Sequence, residues 1–253
     1  LYARRQRQMC IRDRIETEVI EHKHWTDVLA SIKFKGNVLP YKAGQFTKVG
    51  LHINGELISR PYSYVSAPSD DFLEIVYVKV PDGVLTPQLH DLKKGDKLFA
   101  MEKASGFFTM DEVPDGSNLW MFATGTGLGV FISLLKTDDP WKRFNNIVLV
   151  HGVRTSDELT YKETIDALNT KNNNKLIYIP TITREKNDGA FNVRIPEGLK
   201  KNLFQERAQL NITQDSQIMI CGNPNMINDT VELLGESGLC LLYTSDAADE
   251  HTG

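Results

Sequence analysis

The sequence predicts two domains, an antiparallel β-barrel followed by an α/β domain built on a doubly wound parallel sheet. The first observation is length, because 253 residues suit two domains of ordinary size. The second is that short β-rich segments separated by turns fill the first part of the chain, whereas strands alternate with helices in the second. The pattern changes at the turn Pro114–Gly116, which places the boundary near residues 111–117.

The first domain is predicted to consist of short strands and one brief helix. Turn signals such as Asn54–Gly55 and Lys94–Asp96 separate the strands, and the helix is expected at Pro87–Leu92. This arrangement is typical of an antiparallel sandwich or small barrel. The strands are expected at Thr17–Ile20, Val28–Phe34, Gln45–Ile53, Leu57–Val65, Phe72–Val80 and Lys97–Met101.

The second domain is predicted to consist of βαβ units. An apolar strand at Leu119–Ala123 leads through the glycine-rich string TGTGLG into an amphipathic helix that ends near Leu135. Alternating strands and helices of this kind indicate a parallel sheet with helices on its faces. The later elements are a strand at Ile147–Val150, a helix at Ser156–Leu168, strands at Lys175–Ile179 and Gln217–Cys221, and a helix from Asn223 onward.

Both ends of the chain differ in composition from the rest. Residues 1–14 are rich in arginine, and residues 240–253 turn small and polar after a short apolar start. We interpret both as non-native segments, similar to translated sequencing-adapter reads, with a basic arm and a disordered tail as the alternative. The predicted domains then span residues 15–113 and 114–239, and the native C-terminal segment is expected to be missing.

The overall composition excludes several classes of protein. The net charge of −4 predicts that the protein does not bind nucleic acid. The sequence contains no run of 18 apolar residues, so no membrane-spanning helix is expected. The three cysteines are too few and too scattered for a disulfide framework or a metal centre, which favours a reducing compartment. We therefore expect a cytoplasmic monomer with no metal site and no membrane association.

The first motif that suggests chemistry is the string RPYSYV at residues 60–65. Side chains alternate along a strand, so Arg60, Tyr62 and Tyr64 are expected on one face. A guanidinium beside an aromatic ring suits a ligand with a flat ring system and a phosphate. The alternative is an ordinary barrel strand with packed aromatic residues.

Two further segments have the chemistry of phosphate binding. Thr86 is a good N-cap and Pro87 fits the first turn of a helix, whose free N–H groups attract anions. The loop Thr124–Gly129 lies between a strand and a helix, where glycines let the backbone approach a diphosphate. An ordinary helix start and an ordinary βα turn are the alternatives.

Strings in the order AGQFTK, YSYV, VPDG, GFF, HGVR and CGNPNM, together with R-x-Y-S, resemble the bacterial branch of the ferredoxin/flavodoxin–NADP reductase family over residues 15–239. The resemblance implies an FAD-binding barrel, an NADP-binding α/β domain, and electron exchange with ferredoxin or flavodoxin. It also implies that the nicotinamide is placed against the flavin in a cleft between the domains.

The resemblance assigns residues to each cofactor. Arg60 is expected at the FAD pyrophosphate, Tyr62 stacked on the isoalloxazine, and Ser63 beside the reactive flavin nitrogen. Strict alternation places Ser63 on the opposite face from Tyr62, so its role requires a bend. The remaining FAD contacts implied are Val76, Tyr77, Val78, Val84, Leu85, Thr86 and Thr126, and the NADP contacts implied are Gly125, Gly127, Val153, Arg154, Thr183, Arg184, Arg194 and Asn223.

Three arginines near predicted strand ends favour NADP over NAD. Arg184 and Arg194 are expected at the 2′-phosphate and Arg154 at the diphosphate or ribose, since guanidinium geometry matches phosphate. Solvated surface charge is the alternative. Cys221 is expected to be a buried small residue that borders the nicotinamide pocket, shaping hydride transfer without acting as a nucleophile.

The sequence also departs from the family and leaves other functions open. Val130 stands where many members carry proline, and no role is assigned to Tyr243 in place of the family's C-terminal aromatic residue. The alternatives are an NAD(P)H-dependent flavin reductase, an oxygenase reductase component and a flavin-binding sensor without turnover. A dihydroorotate dehydrogenase electron-transfer subunit would need clustered cysteines for an iron–sulfur centre. An acidic protein partner could bind at lysines such as Lys33, Lys35, Lys42 and Lys48, and the alternative is that these lysines are ordinary solvated surface residues.

Overall fold

The computed structural model describes residues 14–236 and 243–246. The chain forms two compact units that meet in sequence between Phe107 and Phe108. The predicted boundaries of the FAD-binding domain, 15–113, and of the NADP-binding domain, 114–239, stay a prediction, because the division into two compact units does not define where each binding domain ends. The predicted non-native ends lie outside the described residues, except for Arg14, which begins the first strand, and Tyr243–Asp246, which forms the last.

The first unit is a curled antiparallel sheet. Its 6 strands lie in the order β4-β3-β6-β1-β2-β5, and every neighbouring pair is antiparallel. A bridge between Tyr64 and Ile75 connects the end of β4 to β5, so the two edges of the sheet come together as a half-barrel. The predicted barrel class is confirmed. The strands are β1 Arg14–His24, β2 Leu29–Lys35, β3 Phe46–Ile53, β4 Glu56–Ser63, β5 Leu73–Val78 and β6 Lys97–Met101.

The core of this unit follows from the alternation of its strands. In β1, Thr17 and Val19 are buried while Glu16 and Glu18 face solvent, as expected for a sheet with one covered face. Ile32, Val49 and Ile75 from three other strands are fully buried against them. Removal of this apolar surface from water is the main stabilising contribution to the unit.

The short helix α1, Thr86–His90, corrects one sequence-based prediction. Leu85 is the N-cap, and Thr86 is the first helical residue. The Thr86 hydroxyl instead accepts a hydrogen bond from the Val80 N–H at 2.9 Å. The hydroxyl therefore closes the preceding loop, and this use competes with capping the helix.

The second unit is a parallel sheet with the order β11-β10-β7-β8-β9. The chain runs from β7 outward through β8 and β9, and then returns to the other side of β7 with β10. Strand order therefore reverses beside β7, the place where doubly wound sheets bind ligands at the carboxyl ends of their strands. The predicted class is confirmed. The strands are β7 Asn118–Thr124, β8 Asn146–Val153, β9 Leu176–Ile182, β10 Ser216–Gly222 and β11 Tyr243–Asp246.

The helices of this unit differ from the prediction in two places. The helix after β7, predicted to be amphipathic, is buried at all of its residues, since β7, β10 and two helices surround it. The predicted helix Ser156–Leu168 is divided, because Tyr161 adopts a left-handed backbone with φ 56°. The helices are α2 Leu128–Leu135, α3 Asp139–Arg143, α4 Lys162–Lys171, α5 Ile195–Lys200, α6 Leu203–Ala208 and α7 Pro224–Glu236, with 3₁₀ turns at Met110–Glu112, Gly125–Gly127 and Ser156–Glu158.

No helix within residues 14–236 is long and apolar enough to cross a membrane.

Candidate functional site

The loops that follow β7 and β10 meet at the carboxyl edge of the parallel sheet. The N–H of Asn223 donates a hydrogen bond of 2.8 Å to the Thr124 hydroxyl. A Cβ atom on Gly127 would lie 2.5 Å from the carbonyl oxygen of Cys221, so only glycine permits this approach. The fold thus brings together Gly127, Cys221 and Asn223, which sequence reasoning had placed at the NADP site, whereas Thr126 of the same loop was assigned to FAD.

The loop after β10 is itself held in a conformation that requires glycine. Gly222 has φ 145°, and a Cβ there would overlap the Thr124 side chain. The next residue, Asn223, accepts a hydrogen bond from the Asn225 N–H at 3.0 Å and so caps α7, as predicted. Cys221 is buried at the end of the strand, also as predicted.

Replacing Gly127 by alanine is expected to destabilise the protein by about 1–3 kcal/mol, the usual cost of adding a methylene to a packed site. The added methyl group would press on the backbone of Cys221, which cannot rotate away. Chemical denaturation measures the effect. The matched control is Gly235→Ala on α7, where, among the described residues, no atom outside the helix's own backbone lies within 4 Å of the new Cβ. That variant should be as stable as the original or more so, and an equal loss in both variants would contradict the close approach.

His151 supports the glycine-rich loop and was missed by sequence reasoning. Its ring is fully buried in β8, with Nε2 3.3 Å from the Gly125 carbonyl and Nδ1 3.1 Å from the Tyr178 hydroxyl. A carbonyl only accepts, so Nε2 carries the proton and Nδ1 accepts from Tyr178. Burial lowers the pKa of His151 to about 4, so the ring is neutral at neutral pH.

This buried histidine predicts an acid dependence of stability. The unfolded chain binds the proton with a pKa of about 6.5, whereas the folded chain binds it only near pH 4. Acid therefore favours the unfolded state between these values, and the site should lose about 2 kcal/mol of stability between pH 7 and pH 5. Denaturation at both pH values, followed by tryptophan fluorescence, measures this loss.

The His151→Gln variant should lose about 2 kcal/mol less than the original protein over the same pH interval. His52→Gln provides the control, because His52 lies exposed on β3 in the other unit. It should retain the original pH dependence. An unchanged pH dependence in His151→Gln would mean that another group controls the acid response.

The predicted arginines follow β8 and β9, but their surroundings differ. Arg154 is held by Glu158, which accepts from its Nε at 3.0 Å and from its backbone N–H at 2.9 Å. Arg184 and Arg194 are exposed, and neither guanidinium has an ion-pair or hydrogen-bond partner in the described part of the chain. Arg184 and Arg194 are therefore available to an anionic ligand, whereas Arg154 must first release Glu158.

Backbone pairing keeps the two arginine-bearing loops side by side. The N–H of Arg184 donates to the Arg154 carbonyl at 2.9 Å, and the N–H of Thr183 donates to the Val153 carbonyl at 3.1 Å. The Thr183 hydroxyl donates to that same carbonyl at 3.3 Å. Val153 and Thr183, both predicted cofactor contacts, thus position the loops that carry the guanidinium groups.

In the first unit, Arg60 has the character of an anion-binding residue. Its NH1 donates to the neighbouring Ser59 carbonyl at 3.0 Å, while its Nε is buried with no hydrogen-bond partner among the described residues. A buried unpaired donor is costly, so a bound anion would stabilise it. Arg60 therefore fits the phosphate-binding role that the sequence predicted.

The aromatic part of this motif is more buried than predicted. Tyr62 is 6% exposed and packs edge-on against Tyr77, with ring centroids 6.4 Å apart. Tyr62 and Tyr64 belong to the same core cluster, in agreement with the predicted common face. Ser63 is half-buried at the end of β4. A stacking role for Tyr62 therefore has less structural support than the phosphate role of Arg60.

The remaining predicted contacts of the first unit are unequal in exposure. Val84 is 56% exposed, whereas Leu85 and Thr86 are buried, so a ligand would meet the latter two through backbone groups. Val76 and Tyr77 are likewise buried, and Val78 is exposed. With 5 residues, helix α1 is too short for a full helix dipole, which weakens the phosphate attraction expected there.

Family models match both units. Residues 18–107 match the oxidoreductase FAD-binding domain. Residues 121–232 match the oxidoreductase NAD-binding domain. The two matches fall within the half-barrel unit and the parallel-sheet unit, respectively.

Relatives resemble the chain over most of its length. A flavodoxin/ferredoxin–NADP reductase from Escherichia coli (strain K12) is 40% identical over 219 residues, which cover 86% of this chain and 88% of the relative. A ferredoxin–NADP reductase from Pseudomonas aeruginosa is 35% identical and covers 87% and 89%. A crystal structure of a ferredoxin NADP⁺ reductase from Neisseria gonorrhoeae with bound FAD and NADP has a TM-score of 0.87 at 29% identity, covering 92% and 98%.

Proposed function

The chain belongs to the flavodoxin/ferredoxin–NADP reductase family, and on this premise we propose that it is an FAD-dependent oxidoreductase that passes electrons between NADPH and ferredoxin or flavodoxin. The observation that carries the proposal is a pair of arginine sites, one in each unit. Arg60 has a buried unpaired nitrogen, and Arg184 and Arg194 are exposed without partners in the described residues. Each site suits the phosphate of a different cofactor.

The half-barrel is proposed to hold FAD. When bound, FAD accepts a hydride and releases electrons singly, which is chemistry that the amino acids do not supply. Arg60 would bind the pyrophosphate, with backbone groups of Val84, Leu85 and Thr86 beside it. The hydroxyl of Ser63 would donate a hydrogen bond at the reactive flavin nitrogen.

Tyr62 would stack on the flavin ring in this proposal, but its side chain is buried and would first have to become accessible. Because only a small part of Tyr62 is exposed, stacking on the flavin requires the residues that surround Tyr62 to move and uncover one face of its ring. Val76, Tyr77 and Val78 would contribute mainly backbone to the same pocket, since the first two side chains are buried.

The parallel-sheet unit is proposed to bind NADP(H). Arg184 and Arg194 would hold the 2′-phosphate, and the backbone of Gly125 and Gly127 would approach the diphosphate. Arg154 would assist at the ribose or diphosphate after leaving Glu158. Asn223 would contact the nucleotide near Cys221, which would border the nicotinamide and limit its position without bonding to it.

The protein partner is proposed to be ferredoxin or flavodoxin, met by a monomer in the cytoplasm. Two of the lysines considered for docking are engaged, because Lys33 pairs with Glu21 at 3.0 Å and Lys35 with Asp71 at 3.2 Å. Lys48 is exposed on β3 and is the better candidate for an acidic partner. The net charge of −4 supports the proposed absence of nucleic-acid binding.

Turnover assays test this function. The FAD-loaded protein should reduce ferredoxin or flavodoxin with NADPH as donor, with saturation kinetics in the carrier protein. A free-flavin reductase would instead release reduced flavin by a ping-pong scheme and ignore the carrier. Rapid NADPH-dependent reduction of free FMN, with no turnover of either carrier protein, would overturn the proposal.

A further inference from the structure

Three histidines lie together in the half-barrel unit beside Tyr77, and none of the three is assigned to either cofactor. His22 and His24 are two residues apart on β1, and His90 is the last residue of α1. Each ring offers one nitrogen atom, and these three nitrogen atoms all lie within 4.8 Å of one another. The Nδ1 of His24 and the Nε2 of His90 are 3.0 Å apart.

This spacing is close to that of a metal site. Zinc–nitrogen bonds are about 2.0–2.1 Å long and tetrahedral, so two ligating nitrogens lie roughly 3.3 Å apart. The His24–His90 pair is already at 3.0 Å. His24 is exposed and His22 and His90 are half-buried, so modest ring rotations suffice to bring the third nitrogen into place.

Hydrogen bonding prepares His22 to act as a ligand. Its Nδ1 lies 2.7 Å from the Leu92 carbonyl, which can only accept, so Nδ1 carries the proton. Nε2 therefore has the lone pair, which now accepts from the Tyr77 hydroxyl at 3.0 Å. A ring N–H fixed on a backbone carbonyl is the usual outer support of a metal-bound histidine.

The surroundings of His22 and His90 favour the neutral form of these two rings. Burial, with a smaller opposing effect of the Leu92 hydrogen bond and a contribution from His24, lowers the pKa of His22. Burial, then His24, Lys79 and His22, lowers the pKa of His90, and Asp91 opposes this. Neutral imidazole is the form that binds metal.

We propose that His22, His24 and His90 form a binding site for Zn²⁺ or a chemically similar divalent transition-metal cation, with water in the fourth position. Three imidazoles suit this class of cation, whereas Mg²⁺ and Ca²⁺ prefer oxygen ligands. The cation would connect β1 to α1, since its ligands His24 and His90 are 66 residues apart in sequence. Binding should weaken in acid, because protons compete for the same nitrogens.

Calorimetric titration of the FAD-loaded full-length protein with Zn²⁺ tests the site. One equivalent is expected to bind and to raise the melting temperature, because a ligand of the folded state alone stabilises it. His24→Asn and His90→Ala should each weaken binding by about 100-fold or more, beyond the 10- to 100-fold typical of losing an outer partner. His52→Ala, an exposed histidine on β3, is the matched control and should bind as the original protein does.

Titration with Co²⁺ separates histidine from cysteine ligation. Binding at the three histidines gives visible d–d bands without the near-ultraviolet band of cobalt–thiolate bonds, and these bands should be absent in both cluster variants. Unchanged Zn²⁺ affinity in His24→Asn and His90→Ala, or a thiolate band at the first equivalent, would overturn the proposal. Absence of any binding at neutral pH would overturn it as well.

Discussion

Replacing Arg184 by alanine is expected to raise the KM for NADPH by about 10- to 100-fold while leaving the KM for NADH nearly unchanged. Hydrogen bonds to charged groups contribute about 1.5–3 kcal/mol, and each 1.4 kcal/mol corresponds to about tenfold in affinity. Arg184 is exposed and has no side-chain partner in the described part of the chain, so its removal should leave the fold intact. Steady-state kinetics with both nucleotides measures the effect.

Two further variants define what the Arg184 result means. Lys186→Ala removes an equal charge from the same exposed loop and is the matched control for long-range electrostatics; it should change both KM values little. Arg154→Ala should have a smaller effect on NADPH than Arg184→Ala, because Glu158 already occupies the Arg154 guanidinium. Equal losses for NADPH and NADH in Arg184→Ala would exclude a 2′-phosphate role.

Replacing Arg60 by alanine is expected to weaken FAD binding by about 10- to 100-fold or more. The FAD-free variant is expected to be at least as stable as the original FAD-free protein. The first effect follows from losing charge-assisted hydrogen bonds to phosphate. The second follows because the buried Nε has no partner in the described residues, and an unsatisfied buried donor costs about 1–3 kcal/mol. Flavin fluorescence on dilution and denaturation of the FAD-free protein measure the two quantities.

Matched substitutions separate charge from geometry at this position. Arg60→Lys keeps the charge but loses the planar guanidinium, and FAD affinity should fall between those of the original and the alanine variant. Lys48→Ala on the neighbouring strand β3 should leave FAD affinity unchanged. A stability loss in FAD-free Arg60→Ala, together with unchanged FAD affinity, would make Arg60 a structural residue.

The fold could be predicted from the sequence because its signals are local. Turns such as Asn54–Gly55 and the change in pattern near Pro114 mark the elements directly. The helix Leu128–Leu135 was misjudged because its burial on all sides depends on neighbours that are distant in sequence. The short helices α3, α5 and α6 were not predicted, since segments of five or six residues do not establish a helical period.

The candidate site was only partly predictable, because the type of a residue does not reveal which other side chain it pairs with in the fold. The string HGVR draws attention to Arg154, but neither the pairing of Arg154 with Glu158 nor the support of Gly125 by His151 can be read from it. The burial of Tyr62 depends on the curl of the whole sheet. The alternation of His22 and His24 on a strand was a readable signal, but only the fold brings His90 beside them.

Anaerobic titration of the purified, FAD-loaded protein with NADPH and with NADH, followed by visible absorbance, tests the central claim most directly. The claim is that a nucleotide site with Arg184 and Arg194 delivers NADPH to a flavin held by the half-barrel. NADPH should bleach the flavin absorbance with about one equivalent, and NADH should require a large excess. A flavin that both nucleotides reduce equally well, or that NADPH does not reduce, would contradict the account.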